Sequence, residues 1–279
     1  MTAPHAWTPA EGNPQEILKK YPKPLNALAS GEVPAIVLRQ AFNPDQCVGL
    51  IDRLYERGLV YDPRPTEDNE ASNRPVYVGP AFVRYNADPD KLFGYAADTH
   101  ELFKTLFNGY DNPVKIFYEM LSCLAPDKRV MTAREPDGRL YGPAVFRAYY
   151  ADRGHGPHFD SVAKRQKLFH YQVARFQHQF AGVMCFQNSE NKGESGEPFL
   201  HNCPWTPAVQ EYITAGTFSQ YVADQGIPRV QIQLEPGDLY FFFSENIHEV
   251  PPVIGEKPRI VLAAFFGMSP DDEEIFVWS

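Results

Sequence analysis

The sequence predicts a mainly β fold, a sandwich or jelly roll with helices buttressing one face. Two observations predict it. Three helix-start signals crowd into the first 125 residues, and after Gly142 the chain becomes a series of short runs rich in Val, Ile, Phe and Tyr separated by turn signals. The length of 279 residues, with 43% hydrophobic and 14% aromatic residues, is ample for one well-packed domain. We therefore expect residues 1–279 to form a single domain: a proline-rich arm over 1–34, a helical buttress over 35–125 and a jelly-roll core over 142–279.

The elements follow in order. Pro4, Pro9, Pro14, Pro22, Pro24 and Pro34 predict an irregular arm draped on the domain, because proline fixes φ and removes a donor. Ala35–Arg39 is a short apolar run that reads as a strand. Asn43-Pro44 then supplies an N-cap and a proline at the first helical position, followed by Val48, Ile51, Leu54 and Tyr55 at helical spacing and Gly58 as a stop. Pro75–Tyr85 reads as a strand. Asp88-Pro89 opens a second helix to about Phe107, and Asn112-Pro113 a third to about Leu124. Strands are expected at Ala144–Tyr150, Phe176–Phe186, Glu197–His201, Val230–Leu234, Leu239–Phe243, Ile260–Phe266 and Ile275–Trp278, with turns such as Glu235-Pro-Gly-Asp238 between them.

Composition narrows the function classes. A net charge of −9 and a pI near 5.4 argue against a general nucleic-acid or anionic-membrane binder. The longest apolar run, Ile260–Met268, is far short of a membrane span, and Met1–Pro14 has neither the cationic start nor the apolar stretch of a secretory signal. Cys47, Cys123, Cys185 and Cys203 show no CxxC spacing, so reduced thiols and a cytoplasmic location are expected.

The chemistry-bearing residues are few. Gly156-Pro-His158-Phe-Asp160 contains His-x-Asp, and in a strand residues i and i+2 face the same side, so both could reach one metal. Alone, the pair could equally be a solvated strand end. His248 follows an apolar strand and a polar turn. Arg259, eleven residues later, opens the apolar strand Arg259–Phe266, and its fork geometry suits a carboxylate held inside a barrel. Two histidines and one carboxylate make the facial triad of non-haem Fe(II) oxygenases.

On His158-x-Asp160…His248…Arg259 the chain resembles the Fe(II)/2-oxoglutarate-dependent oxygenases. The strand–helix segment Ala35–Leu54 looks like that family's usual lead-in to its barrel. The C-terminal third is most similar to the free-standing aliphatic halogenases and their hydroxylating relatives, through Gly142–Arg147, Glu235–Asp238, His248–Arg259 and Ile275–Ser279. Those halogenases have Gly where this chain has Asp160, which leaves a position for chloride, so Asp160 speaks for hydroxylation. The resemblance implies a double-stranded β-helix, a cupin-like jelly roll, with iron at its open end. It implies that 2-oxoglutarate chelates the iron, that its distal carboxylate pairs with Arg259, and that O2 takes the last position. Decarboxylation to succinate and CO2 then drives hydroxylation of an unactivated C–H bond.

Further residues are assigned by position. Alternation puts Val145, Arg147 and Tyr149 on one strand face, making Arg147 a candidate contact to the cosubstrate. Val162–Phe180 carries Lys164, Arg165, Lys167, Arg175, His170 and His178 and no acid. It is read either as a solvated face or as an electropositive rim, with Arg165, Lys164 or Lys167 anchoring a small anionic substrate such as an amino acid or N-acyl amino acid derivative. His5, His100 and His201 are read as surface or local hydrogen-bonding residues, and alternation turns His155 away from His158. The competing functions are a halogenase or desaturase of the same family, a peptidyl or nucleic-acid hydroxylase, and a jelly-roll binding protein without catalysis.

Overall fold

Proline after a short polar side chain starts most of the helices. The structure, a computed structural model, describes residues 7–61, 77–191, 193 and 195–279. Its helices are α1 (Pro14–Lys20), α2 (Pro24–Ala29), α3 (Pro44–Glu56), α4 (Phe82–Tyr85), α5 (Pro89–Leu106), α6 (Pro113–Leu124), α7 (Pro207–Thr214) and α8 (Phe218–Gln225). The Asn43 side chain accepts from Asp45 N–H, Asp88 from Lys91 N–H, and Asn112 from Val114 and Lys115 N–H, as the three predicted starts require.

Residues 7–34 depart from expectation. Pro14 and Pro24 open helices instead of breaking structure, because the first helical turn has no use for the N–H that proline lacks. Asn13 and Glu16 close a reciprocal capping box on α1, and Ile17, Leu25 and Leu28 pin the segment to the core. Pro4 and His5 lie outside the described residues, as do Pro75 and Val76. Within the expected strand Pro75–Tyr85, only Tyr77–Val78 is extended, and Phe82–Tyr85 is helical.

The strands are β1 (Ala10–Glu11), β2 (Ala35–Leu38), β3 (Tyr77–Val78), β4 (Arg129–Thr132), β5 (Val145–Tyr149), β6 (His155–His158), β7 (His178–Gln187), β8 (Phe199–Pro204), β9 (Arg229–Gln231), β10 (Leu239–Phe243), β11 (Asn246–Val250), β12 (Arg259–Met268) and β13 (Glu274–Trp278). They form two sheets of a jelly roll. The larger has nine strands, ordered β1-β2-β10-β7-β12-β13-β4, with β5 on β12 and β3 on β5. The smaller is β6-β11-β8-β9. Between β8 and β9 the chain inserts α7 and α8, and Thr206 caps α7 by accepting from Val209 N–H. No helix among the described residues is long and apolar enough to cross a membrane, and all four cysteines are free.

Strand alternation divides the large sheet into two faces. Ile36, Phe146, Phe180, Met184, Phe241, Ile260, Leu262 and Phe266 pack outward against Leu50 and Leu54 of α3 and Phe117 and Leu121 of α6. Arg147, Tyr149, Ala181, Val183, Tyr240, Phe242, Arg259, Val261 and Ala263 face inward and line a cavity. Both faces are covered, so these strands read as nearly unbroken apolar runs. Helix α6 comes so close at Gly182 that a Cβ there would sit 2.4 Å from the Phe117 ring.

That close approach sets a stability test. Gly182→Ala overpacks a closed core and should cost about 1–3 kcal/mol in urea unfolding. The double variant Gly182→Ala/Phe117→Leu should recover part of the loss.

Candidate metal centre and its cavity

The site is built on one cross-strand pair. β6 and β11 run antiparallel with His158 directly opposite His248, and the two rings lie 4.3 Å apart. Asp160, two residues past His158, is fixed through its backbone: Asp160 N–H donates to Ser244 O at 2.8 Å, and Ser244 Oγ donates to Asp160 O at 3.0 Å. Its Oδ2 lies 3.8 Å from His158 Nε2 and 3.5 Å from His248 Nε2. All three ligand atoms fall within 4.8 Å of one another.

The histidines are oriented by their other nitrogens. His158 Nδ1 is 2.7 Å from Gly156 O, and His248 Nδ1 is 2.9 Å from Asn246 O. A carbonyl can only accept, so in the neutral rings the proton sits on Nδ1 and Nε2 presents a lone pair to the centre. Burial, then the neighbouring His248, pushes His158 down to about 3. Burial alone would raise Asp160, but His248, His158 and Arg147 overcome it and hold the carboxyl below its ordinary range. Two imidazole nitrogens and a carboxylate are a donor set suited to a divalent iron-type ion with open positions.

The triad opens into a cavity of about 280 Å³ between the two sheets. Its charged lining is uneven: Arg147, Arg165 and Arg259 face Asp160 as the one acidic residue among the described lining residues. Arg259 is 3% exposed, its guanidinium lies 5.8 Å from the Tyr149 ring centre, and its Nε has no partner within the protein. Arg147, two strand positions before Tyr149, likewise has a buried Nε without a partner. Its guanidinium sits between the rings of Tyr77 and Phe265, at 5.9 Å from each. Leaving buried guanidinium donors unpaired is costly, and a bound anion would satisfy them. Arg147 and Tyr149 share the cavity face while Phe146, Ala148 and Tyr150 pack in the core, as alternation requires.

The basic segment does not assemble into a rim. Residues Val162–Gln166 form a π-helical turn closed by Lys167 in the left-handed region at φ 55°. Lys164 turns away to pair with buried Glu245 at 2.5 Å, and Lys167 is exposed and outside the cavity lining. Arg175 pairs with Asp272 and Glu274. Only Arg165 reaches the cavity, and its Nη1 donates to Phe159 O at 2.7 Å and Asp160 Oδ1 at 3.3 Å. Lys164 and Arg175 find acids remote in sequence, which a local count cannot anticipate, and Arg165 finds its partners just before the segment.

Three cavity residues escape the sequence reading. His155 lines the cavity with its ring 5.5 Å from that of His158. It is not turned away, because three residues of β6 span two of β11, and this bulge breaks the alternation. Burial, then Arg147, lowers its pKa, which favours the neutral ring. Tyr149 and Tyr240 stand beside Arg259, and burial pushes the Tyr240 hydroxyl up, which keeps it a donor. Their strand positions are readable, but aromatic residues on a strand read first as core.

Comparison with known proteins places the chain. The model of the family described as carrier-protein-independent halogenase WelO5 matches residues 14–279. Among solved structures the chain is similar to an N-substituted L-amino acid dioxygenase from Burkholderia ambifaria AMMD, at 16% identity over 91% of this chain and 90% of that one, with a TM-score of 0.60. The same enzyme in complex with alpha-KG gives 17% identity over 91% and 90%, with a TM-score of 0.56. HygX from Streptomyces hygroscopicus, solved with nickel and 2-oxoglutarate bound, is 11% identical over 89% and 88%, with a TM-score of 0.50. Identities this low speak to the shared fold. No curated protein sequence matches the chain.

The triad sets a direct expectation. His158→Ala, Asp160→Ala and His248→Ala should each weaken Co(II) binding by more than the roughly 10–100-fold that loss of an outer partner costs. Competition against a fluorescent chelator measures this without turnover.

Proposed function

Because this chain belongs to the carrier-protein-independent halogenase family, within the iron- and 2-oxoglutarate-dependent oxygenases, we propose that it hydroxylates an unactivated C–H bond of a small anionic molecule. The observation that carries the proposal is Asp160. Its Oδ2 stands within 4 Å of both histidine Nε2 atoms, at the place where the family's halogenases have Gly and leave room for chloride. A carboxylate oxygen occupying that ligand position leaves no such vacancy for a halide.

Each remaining residue has a task that follows from its placement. His158, Asp160 and His248 would hold the iron. The unpaired Nε of Arg259 and the Tyr240 hydroxyl suit the distal carboxylate of 2-oxoglutarate, and Arg147, whose charge acts on Asp160, suits its other end. Bound iron with 2-oxoglutarate supplies the oxidising chemistry, consuming O2 and releasing succinate and CO2. The apolar walls, Val183, Val261, Ala263 and Phe265, keep water from the reacting carbon.

Charge supports the anionic substrate. Three guanidiniums and a divalent ion outweigh Asp160 and the two carboxylates of 2-oxoglutarate, so the loaded cavity stays positive. An amino acid or N-acyl amino acid derivative would bring the missing negative charge. The second reading, halogenation, rests on the family match itself.

Product analysis separates the two. In buffer containing chloride, with Fe(II), 2-oxoglutarate and O2, productive substrates should gain one oxygen atom with stoichiometric succinate, and carboxylates should outcompete their amides. A chlorinated product would overturn hydroxylation, and equal turnover of carboxylate and amide would overturn the anionic preference. Arg259→Gln should raise the KM for 2-oxoglutarate about 10-fold or more, the cost of losing one partner of a buried charge pair. Its Co(II) affinity should stay near that of the parent.

A further inference from the structure

The π-helical turn Val162–Gln166 is fastened more firmly than an exposed loop requires. Ser161 caps it, with Oγ accepting from Lys164 N–H at 3.1 Å and donating to Glu245 Oε1 at 3.0 Å. Lys164 Nζ donates to the other oxygen of the same carboxylate, and Glu245 is 5% exposed. Val162 N–H donates to Gln179 Oε1 at 2.8 Å. A non-glycine residue, Lys167, accepts the left-handed conformation to close the turn. Such turns concentrate where a side chain has to be aimed. The side chain aimed here is Arg165, whose Nη1 grips Phe159 O and Asp160 Oδ1, the carbonyl and carboxylate that flank the end of the metal-binding segment.

We propose that Arg165 positions Asp160 for metal binding. It holds the outer oxygen Oδ1, so that Oδ2 alone faces the two histidines, and the Lys164–Glu245 pair fixes the turn on which Arg165 stands. The inference rests on the metal-centre reading above. It replaces an anchoring role for Lys164, which is committed to Glu245, and assigns Arg165 to the ligand and not to the substrate. The gain is a carboxylate that donates through one oxygen and cannot swing its second into the open positions.

The sign of one measurement tests it. If Arg165 acted only through its charge, its removal would tighten a divalent cation. If it positions Asp160, its removal weakens that cation. Titration of the substrate-free protein with Co(II), read by ligand-field absorption, should show Arg165→Ala about 10-fold or more weaker, in the range for lost outer partners. Arg165→Lys should recover part of the affinity, while Lys164→Ala and Glu245→Gln should move it the same way by less. In an Asp160→Ala background, Arg165→Ala should weaken binding no further, whereas the loss from a merely structural role would persist there. Arg165→Gln, which keeps most of the side-chain volume, repeats the test should Ala loosen the turn. Unchanged or tighter Co(II) binding in Arg165→Ala, with a raised substrate KM, would overturn the proposal and restore the substrate-anchor role. Undiminished binding in His158→Ala would instead bring down the metal centre on which the proposal rests.

Discussion

The pairing of β6 with β11 is the constraint on which the site depends. It sets His158 opposite His248, and the Asp160–Ser244 backbone bonds extend the same alignment past the strand end to the third ligand. A one-residue slip of β6 would turn His158 to the other face, away from His248. β6 is only four residues long, so it cannot hold this register alone. β11 is held on its other side by β8, and the turn leading into it is held by Ser244, whose N–H donates to Gln179 O on β7. The metal centre is therefore tied to both sheets.

The large sheet reconciles two opposed demands. Its outer face buries Phe146, Phe180, Phe241 and Phe266 against the helices, which is where the favourable apolar burial lies. Its inner face carries Arg147 and Arg259 into the cavity, each with an unpaired Nε, an arrangement that stabilises nothing by itself. The same strands supply both faces by alternation, so apolar packing on one face offsets the cost of buried cations on the other. A site organised in this way favours an anionic ligand over water, because the ligand removes a penalty that folding leaves in place.

Much of this was legible in the sequence, for physical reasons that can be named. Asn43-Pro44, Asp88-Pro89 and Asn112-Pro113 are local signals, and local signals for helix starts need no tertiary information. The inward-facing Arg147 follows from a period of two. What was not legible required long-range or irregular geometry. Proline has two opposite meanings, and the arm residues Pro14 and Pro24 took the helix-starting one because their helices dock Ile17, Leu25 and Leu28 into the core. Thr206-Pro207 is the same signal as Asn43-Pro44 but lies inside a run of expected strands, whose apolar texture masks it. His155 was lost to a bulge, since strict alternation counts residues and the bulge inserts one.

The basic segment shows most clearly how far charge counting along a chain can mislead. Val162–Phe180 contains no acid, yet Lys164, Arg165 and Arg175 each meet a carboxylate: Glu245, Asp160, and Asp272 with Glu274. The segment is neutralised from outside itself. The positive field of the cavity comes largely from Arg147 and Arg259, single cations embedded in two of the most apolar strands of the molecule, where no window of composition would mark them. Cations that stand on strands are also less adjustable than ones carried by a loop. Moving either guanidinium means moving a strand paired on both sides, β5 between β3 and β12, or β12 between β5 and β7. The lining also takes residues from shorter elements, exposed Val83 from α4 and Gln166 from the π-helical turn, and these can change without moving a strand.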